Sequence, residues 1–179
     1  MITKVAVENF KGIGDRIELP IRPITLLFGP NSAGKSSILH AIQYAREVLE
    51  RRNLDADRTV NGGDYVDLGG FRNFIHRRDL DRDVTIRFDL ALRGEELPEY
   101  RPKAGYPVDF EIRGQDTQVS LRDLEHEFAQ PTTGWVELVV SWSSQLGRPF
   151  ISTYTVGADG KEVACIRYAP GRPEAEIAR

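Results

Sequence analysis

The sequence predicts an α/β fold, with a strand–loop–helix core at the amino-terminal end and an antiparallel, β-rich back half. Three observations predict it. A glycine-rich segment at residues 29–36 separates a short apolar run from a helical pattern. From residue 84 onward, apolar and polar side chains alternate with the period of a strand. Turn dipeptides such as Asp159-Gly160 separate the later apolar runs, as in hairpins.

Residues 1–28 predict three strands. Two of them flank the glycine-containing residues 11–15 and alternate apolar with polar side chains. The third, residues 24–28, is a nearly continuous apolar run, which is typical of a strand buried on both faces of a parallel sheet. A helix is predicted from residue 36 to about residue 52, because its apolar side chains recur at helical spacing. These side chains are Ile38, Ile42, Ala45 and Leu49.

The glycine-rich segment fits the phosphate-binding pattern G-x-x-x-x-G-K-[ST] at every fixed position. Gly29 and Gly34 permit backbone dihedrals that let successive N–H groups converge on phosphate oxygens. Lys35, the candidate catalytic residue, is expected to reach the β- and γ-phosphates of a nucleoside triphosphate, and the Ser36 hydroxyl to bind Mg²⁺. The predicted binding residues of the loop are Gly29, Pro30, Asn31, Ser32, Ala33, Gly34, Lys35, Ser36 and Ser37.

Residues 53–83 are polar and predict a loop region, with a glycine turn at residues 68–70 and one short helical turn at residues 71–75. Four arginines could contact a nucleic-acid backbone here: Arg72, Arg77, Arg78 and Arg82. The acidic residues between them favour a solvated loop of mixed charge instead. DNA therefore stays open as a partner.

Residues 84–169 predict an antiparallel β subdomain. Its first strand is residues 84–90, and a hairpin is expected to join residues 108–112 to residues 119–121, before a short helix at 121–128. Residues 135–142 predict another strand, and residues 150–156 are expected to pair with 162–168 across Asp159-Gly160. The tail, residues 170–179, is interpreted as a frayed terminus or the start of a helix.

Composition narrows the class of protein. The 179 residues are 40% hydrophobic and carry a net charge of −3, which gives enough apolar surface for a core and argues against a chain-wide nucleic-acid footprint. Cys165 is the single cysteine, and no apolar stretch approaches membrane-spanning length, so a cytoplasmic protein that does not bind membranes is expected. The three histidines, His40, His76 and His126, have no spacing typical of a metal cluster.

The amino-terminal residues resemble a known family. Residues 5–13 read VAVENFKGI, residues 23–39 read PITLLFGPNSAGKSSIL, and residues 63–74 read GDYVDLGGFRNF. Together they are similar to the amino-terminal lobe of SMC/RecF-like ABC ATPases, and most similar to the overcoming-lysogenization-defect (OLD) group of bacterial AAA-family ATPases. The likeness extends over residues 1 to about 90.

The resemblance implies ATP and Mg²⁺ as ligands and one domain over residues 1–179, an amino-terminal ATPase lobe. Its parts would be residues 1–52 with the phosphate-binding loop, the loop region 53–83, the β subdomain 84–169 and the tail 170–179. The resemblance also implies that Lys11 lies near the base or the α-phosphate, and that Asn31 lines the γ-phosphate pocket. A second lobe or a second ATPase head would be the partner, and the activity would be coupled to DNA repair or phage defence.

Two elements that ABC-type hydrolysis requires are absent from the sequence. No apolar strand ends in Asp-Glu, the pair that helps to hold Mg²⁺ and orients the attacking water. No Ser-Gly-Gly signature element occurs either. The chain is therefore expected to bind ATP but to hydrolyse it only with a further lobe. The alternative is a non-catalytic, nucleotide-regulated interaction module. A kinase or GTPase is less favoured, because no Asn-Lys-x-Asp motif is present.

Overall fold

The computed structural model describes residues 1–31, 34–57, 65–92, 131–168, residue 170 and the backbone of 176–178. Within these residues the strands form one antiparallel sheet in the order β2-β1-β3-β4-β5-β6-β7. The strands are β1 (Ile2–Glu8), β2 (Ile17–Pro20), β3 (Val84–Ala91), β4 (Thr133–Ser143), β5 (Arg148–Ala158), β6 (Lys161–Arg167) and β7 (Glu176–Ala178). The helices are α1 (Lys35–Arg51) and α2 (Phe71–Phe74), and a 3-10 turn spans His76–Arg78.

Alternate residues of β3 and β1 face the core, as the alternating sequence pattern predicts. Val84, Ile86 and Phe88 of β3 are buried, and Val7 and Val5 of β1 lie opposite the last two. The strand expected at residues 84–90 is therefore confirmed. Its buried side chains lie in one hydrophobic cluster with those of α1.

A two-residue turn joins the carboxyl-terminal strands β5 and β6 into a hairpin. β5 and β6 pair through a two-residue turn in which Asp159 has φ 45° and Gly160 has φ 81°, and Ala158 lies opposite Lys161. Two successive residues with positive φ are what a type I′ hairpin turn requires. The hairpin predicted at Asp159-Gly160 and the strand predicted at residues 135–142 are thus confirmed.

Helix α1 packs against the sheet through small and aromatic side chains. Ala41, Tyr44, Ala45 and Val48 are buried, and the Tyr44 hydroxyl donates a 2.8 Å hydrogen bond to the carbonyl of Leu54. Aromatic rings join α1 to α2 and to the chain after β1, with centroids 4.7–5.8 Å apart. These rings are Phe10, Tyr44, Phe71 and Phe74. The helix ends as predicted, because Arg52 adopts a left-handed conformation at its carboxyl terminus.

The strand predicted at residues 24–28 is not formed. Ile24, Leu26 and Phe28 are 82%, 69% and 85% exposed, and their backbone pairs with no strand of the described sheet. A strand of a parallel sheet needs neighbours that run in the same direction, and every pairing between described strands is antiparallel. The apolar pattern was recognised correctly, but its burial on both faces was wrong.

The expectation for the tail was also wrong. Residues 176–178 form β7, which pairs with β6 from Cys165↔Ala178 to Arg167↔Glu176. Pairing satisfies backbone groups that the edge of β6 otherwise presents to water, and this outweighs the tail's charged composition. The hairpin predicted at residues 108–121 and the helix predicted at 121–128 lie outside the described residues. Of the helices that the structure describes, none is long and apolar enough to cross a membrane.

Candidate nucleotide-binding site

The glycine-rich loop leads directly into α1. Gly29 has φ 148° and Gly34 has φ 85°, both in the region that side chains with a β-carbon avoid, and the helix begins at the next residue, Lys35. The backbone N–H of Ile38 donates to the Gly34 carbonyl at 3.3 Å. The N–H groups of the first turn are therefore left to face an anion, with the positive end of the helix dipole behind them. Ser32 and Ala33 lie outside the described residues.

The Lys35 side chain folds back over the loop. Its ammonium donates to the carbonyl oxygens of Gly29, at 2.8 Å, and Pro30, at 2.7 Å. Carbonyl oxygens are neutral acceptors, and charge-assisted hydrogen bonds to an anion are roughly twice as strong as neutral ones. The Lys35 ammonium is therefore expected to bind a phosphate at the loop more strongly than it binds these two carbonyl oxygens.

The two serines of the first helical turn face different surroundings. Ser36 is exposed, whereas Ser37 is buried and faces the turn after β1, where a β-carbon on Gly12 would lie 3.8 Å from the Ser37 hydroxyl. Ser36 thus has the free hydroxyl that Mg²⁺ coordination needs, and Ser37 is partly a packing residue. In the described part of the chain, no group of three His, Cys, Asp or Glu side chains could hold a metal by itself.

The turn after β1 packs against this end of α1. Asn9 and Lys11 have φ 55° and 51°, and Phe10 pairs with Ile13 across the tight turn. The Lys11 N–H donates to the Phe74 carbonyl at 2.6 Å, and the Lys11 carbonyl accepts from His76 Nδ1 at 2.8 Å. The backbone on both sides of the Lys11 α-carbon is therefore fixed.

The Lys11 ammonium reaches α1, where it lies 2.9 Å from Nδ1 of His40. Burial, with a smaller contribution from the Lys11 charge, lowers the pKa of His40, so the imidazole is kept neutral and can accept this hydrogen bond. Sequence reasoning assigned a role to Lys11 but none to His40. The signal was its position four residues after Ser36, which puts both side chains on one face of the helix.

Asn31 is exposed at the loop, whereas Asn9 is fully buried. Asn9 Nδ2 donates to the Asp83 carbonyl at 3.1 Å, and its Oδ1 has no hydrogen-bond partner among the residues described. Phe10, the next residue, is 0% exposed and belongs to the core.

The four arginines of the loop region have different surroundings in the structure. Arg72 stacks on Trp142, with the guanidinium carbon 4.4 Å from the ring centre, and Arg82 donates to the Gly14 carbonyl at 3.4 Å. Arg77 and Arg78 are exposed and both have positive φ. Arg72 and Arg82 thus contact groups of the chain itself, whereas Arg77 and Arg78 face solvent.

Known proteins resemble this chain most clearly over its amino-terminal part. Residues 1–84 match the family described as an AAA ATPase domain. The OLD nuclease of Thermus scotoductus is 48% identical over 95 residues, an alignment that covers 50% of this chain and 15% of that protein. The DNA replication and repair protein RecF of Chlorobium phaeobacteroides is 22% identical over 152 residues, covering 76% of this chain and 41% of RecF. A solved structure from work on ATP-driven dimerization and DNA-stimulated activation of SMC ATPases aligns with 90% of this chain and 71% of its own, at 15% identity and a TM-score of 0.44.

Residues 1–84, which contain the phosphate-binding loop, are thus similar to an AAA ATPase domain. The chromosome partition protein Smc of a Synechococcus strain is also similar, at 36% identity over 58 residues that cover 32% of this chain and 5% of that protein. The resemblance to OLD, RecF and SMC proteins seen in the sequence is thus confirmed. The chain spans 15% of the length of the OLD nuclease and 41% of the length of RecF.

Proposed function

We propose that this chain is the ATP-binding, amino-terminal lobe of an SMC/RecF/OLD-like ATPase, holding ATP and Mg²⁺ at residues 29–37. One observation carries the proposal: the loop pattern is complete and leads, through left-handed Gly34, into the amino terminus of α1. Lys35 would bind the β- and γ-phosphates, and Ser36 would hold the magnesium ion that bridges them. Magnesium would supply charge neutralisation of the phosphates there.

The partner we propose is a second lobe or head that supplies parallel strands beside residues 24–28. The exposure of Ile24, Leu26 and Phe28 supports this, because a contiguous exposed apolar patch is typical of an interaction surface. The same lobe would bring the Asp-Glu strand that hydrolysis requires. Coupling to DNA repair or phage defence, and a cytoplasmic location, belong to the proposal for the complete protein.

The second candidate is a nucleotide-regulated interaction module without turnover. The exposed apolar segment 24–28 favours it for this polypeptide, since it provides an interaction surface beside the loop. Phosphate release from the purified chain with Mg-ATP distinguishes the two. Turnover that Lys35→Ala abolishes would contradict the module, and turnover that appears only with an added lobe supports the ATPase lobe.

Equilibrium titration with a fluorescent ATP analogue tests nucleotide binding. Lys35→Ala removes the ammonium that faces the loop and is expected to weaken binding at least about tenfold, the effect of one charge-assisted hydrogen bond. Arg167→Ala is the matched control, because it removes an exposed cation on β6, which four strands of the sheet separate from β2. Equal affinity of the Lys35→Ala variant and the unmodified chain would overturn the proposal.

A further inference from the structure

The contact between Lys11 and His40 joins the turn after β1 to the helix after the phosphate-binding loop. The Lys11 ammonium can only donate hydrogen bonds, so His40 Nδ1, 2.9 Å away, must accept and its proton must be on Nε2. Burial lowers the pKa of His40, which is consistent with this neutral form. His40 therefore accepts the Lys11 hydrogen bond only as the neutral tautomer that carries its proton on Nε2.

The backbone of Lys11 is fixed at unusual cost. A residue with a β-carbon at φ 51° is strained by about 1 kcal/mol or more, and such strain persists only where surrounding contacts hold it. Here the Phe74 carbonyl and the His76 ring hold the two peptide groups of Lys11. The side chain is consequently directed at α1 rather than left free in solvent.

The contact lies close to the phosphate-binding end of α1. His40 follows Ser36 by four residues, which places it on the same helix face and just over one turn, about 6 Å, further along the axis. Gly12 lies against Ser37, and a β-carbon on Gly34 would be 3.8 Å from Ile13, so turn and helix form one packed unit. The Lys11 ammonium has three N–H donors, and the one that His40 accepts leaves two for a further acceptor.

We propose that His40 is a positioning residue, whose neutral imidazole holds the Lys11 ammonium beside the first turn of α1 so that Lys11 serves as a second cation for the nucleotide phosphates. This inference rests on the proposed ATP site. Without the imidazole acceptor, the long side chain of Lys11 would lose its preferred orientation. Nucleotide binding would then have to order this side chain, and the entropy cost would weaken the affinity.

Titration of the full chain with Mg-ATP tests the assignment through Lys11→Ala, His40→Ala, the double variant and His40→Asn. Lys11→Ala is expected to weaken binding about tenfold and His40→Ala several-fold. The double variant should bind no more weakly than Lys11→Ala alone, because His40 acts through Lys11. His40→Asn should restore binding, because the asparagine Oδ1 takes the place of Nδ1 as acceptor.

Several results would overturn the assignment. They are normal affinity for Lys11→Ala or His40→Ala, additive losses in the double variant, or a His40→Asn variant as weak as His40→Ala. Lys35→Ala distinguishes failure of the proposed ATP site from failure of this assignment. If Lys35→Ala has no effect on binding, the ATP site itself is wrong. If Lys35→Ala is the only variant that weakens binding, the ATP site stands and only the role of His40 and Lys11 is wrong. Should His40→Ala unfold, His40→Asn is compared with His40→Gln, whose oxygen reaches the position of Nε2. Stronger binding by Asn then supports the assignment, and equal binding overturns it.

Discussion

The carboxylate of Glu47, fully buried on α1, accepts a hydrogen bond from the backbone N–H of Tyr65. It also accepts one from Asn53 Nδ2 at 3.4 Å, while the Tyr65 hydroxyl donates to Glu50 one turn further along the helix. The guanidinium of Arg46 covers the Tyr65 ring at 3.8 Å. The second half of α1 is therefore tied to the chain that continues toward α2, away from the phosphate-binding end.

Glu47→Ala is expected to lower the free energy of unfolding by about 1–3 kcal/mol, because it leaves the partly buried N–H of Tyr65 without its acceptor. Glu47→Gln keeps one carbonyl oxygen and should lose clearly less. Gln43→Ala, at an exposed position on the same helix, is the control. Urea unfolding measures all three, and equal stability of the Glu47→Ala and Gln43→Ala variants would contradict the structural role of the carboxylate.

Gly157 tests the packing of β4 against β5. The indole of Trp135 covers Gly157 so closely that a β-carbon there would overlap its Nε1 and Cε2 atoms. Gly157→Ala is expected to cost about 1–3 kcal/mol of stability, since a rigid ring or the backbone must shift. Gly12→Ala meets only an ordinary 3.8 Å contact and should be nearly neutral. Thermal unfolding of the two variants compares them, and similar midpoints would argue against the indole's position.

Asp159 links the β5–β6 turn to the start of β4. Its Oδ1 accepts from the N–H and hydroxyl groups of Thr132 and Thr133 at 2.9–3.1 Å, and the Thr133 N–H contributes most to lowering the Asp159 pKa. A carboxyl with a lowered pKa in the folded state stabilises the protein above its unfolded pKa, and this contribution is lost as the pH falls below about 4. Asp159→Asn should flatten that acid limb of a stability–pH profile. An unchanged limb would mean that the ionised form is not preferred.

His40 predicts a second pH dependence, near neutrality. Its folded pKa is lowered by burial and by Lys11, whereas the unfolded value is about 6.5. Stability should therefore be complete above about pH 6.5 and should decrease as the pH falls through the lower folded pKa, where protonation sets a second positive charge against Lys11. His40→Asn removes this component. Chemical unfolding at pH 7.5 and pH 5.5 measures it, and an identical decrease in both proteins would exclude His40 as its source.

Local sequence patterns predicted the elements whose conformation depends on neighbouring residues, namely the glycine-rich loop and the β5–β6 turn. The spacing of Gly29, Gly34 and Lys35 predicted the loop, and Asp159-Gly160 predicted a turn whose dihedrals few other dipeptides adopt. Contacts between distant residues gave no such signal. The Lys11–His40 pair spans 29 residues and the Glu47–Tyr65 pair 18, and nothing in either local sequence specifies the partner. Residues 24–28 show the limit most clearly, since their pattern predicts a buried strand, whereas Ile24, Leu26 and Phe28 are exposed.

The exposed apolar row at residues 24–28 yields the last prediction. Leu26 and Phe28 are 69% and 85% exposed, so replacing both by Ser should change the free energy of unfolding by no more than about 0.5 kcal/mol. Ile86→Ala, at a buried position of β3, should instead cost about 2–5 kcal/mol. Because an exposed apolar patch promotes association, the double serine variant should also self-associate less at high concentration in sedimentation measurements. A large loss of stability in that variant would mean that residues 24–28 already pack within the chain, and a second lobe would then not be needed to cover them.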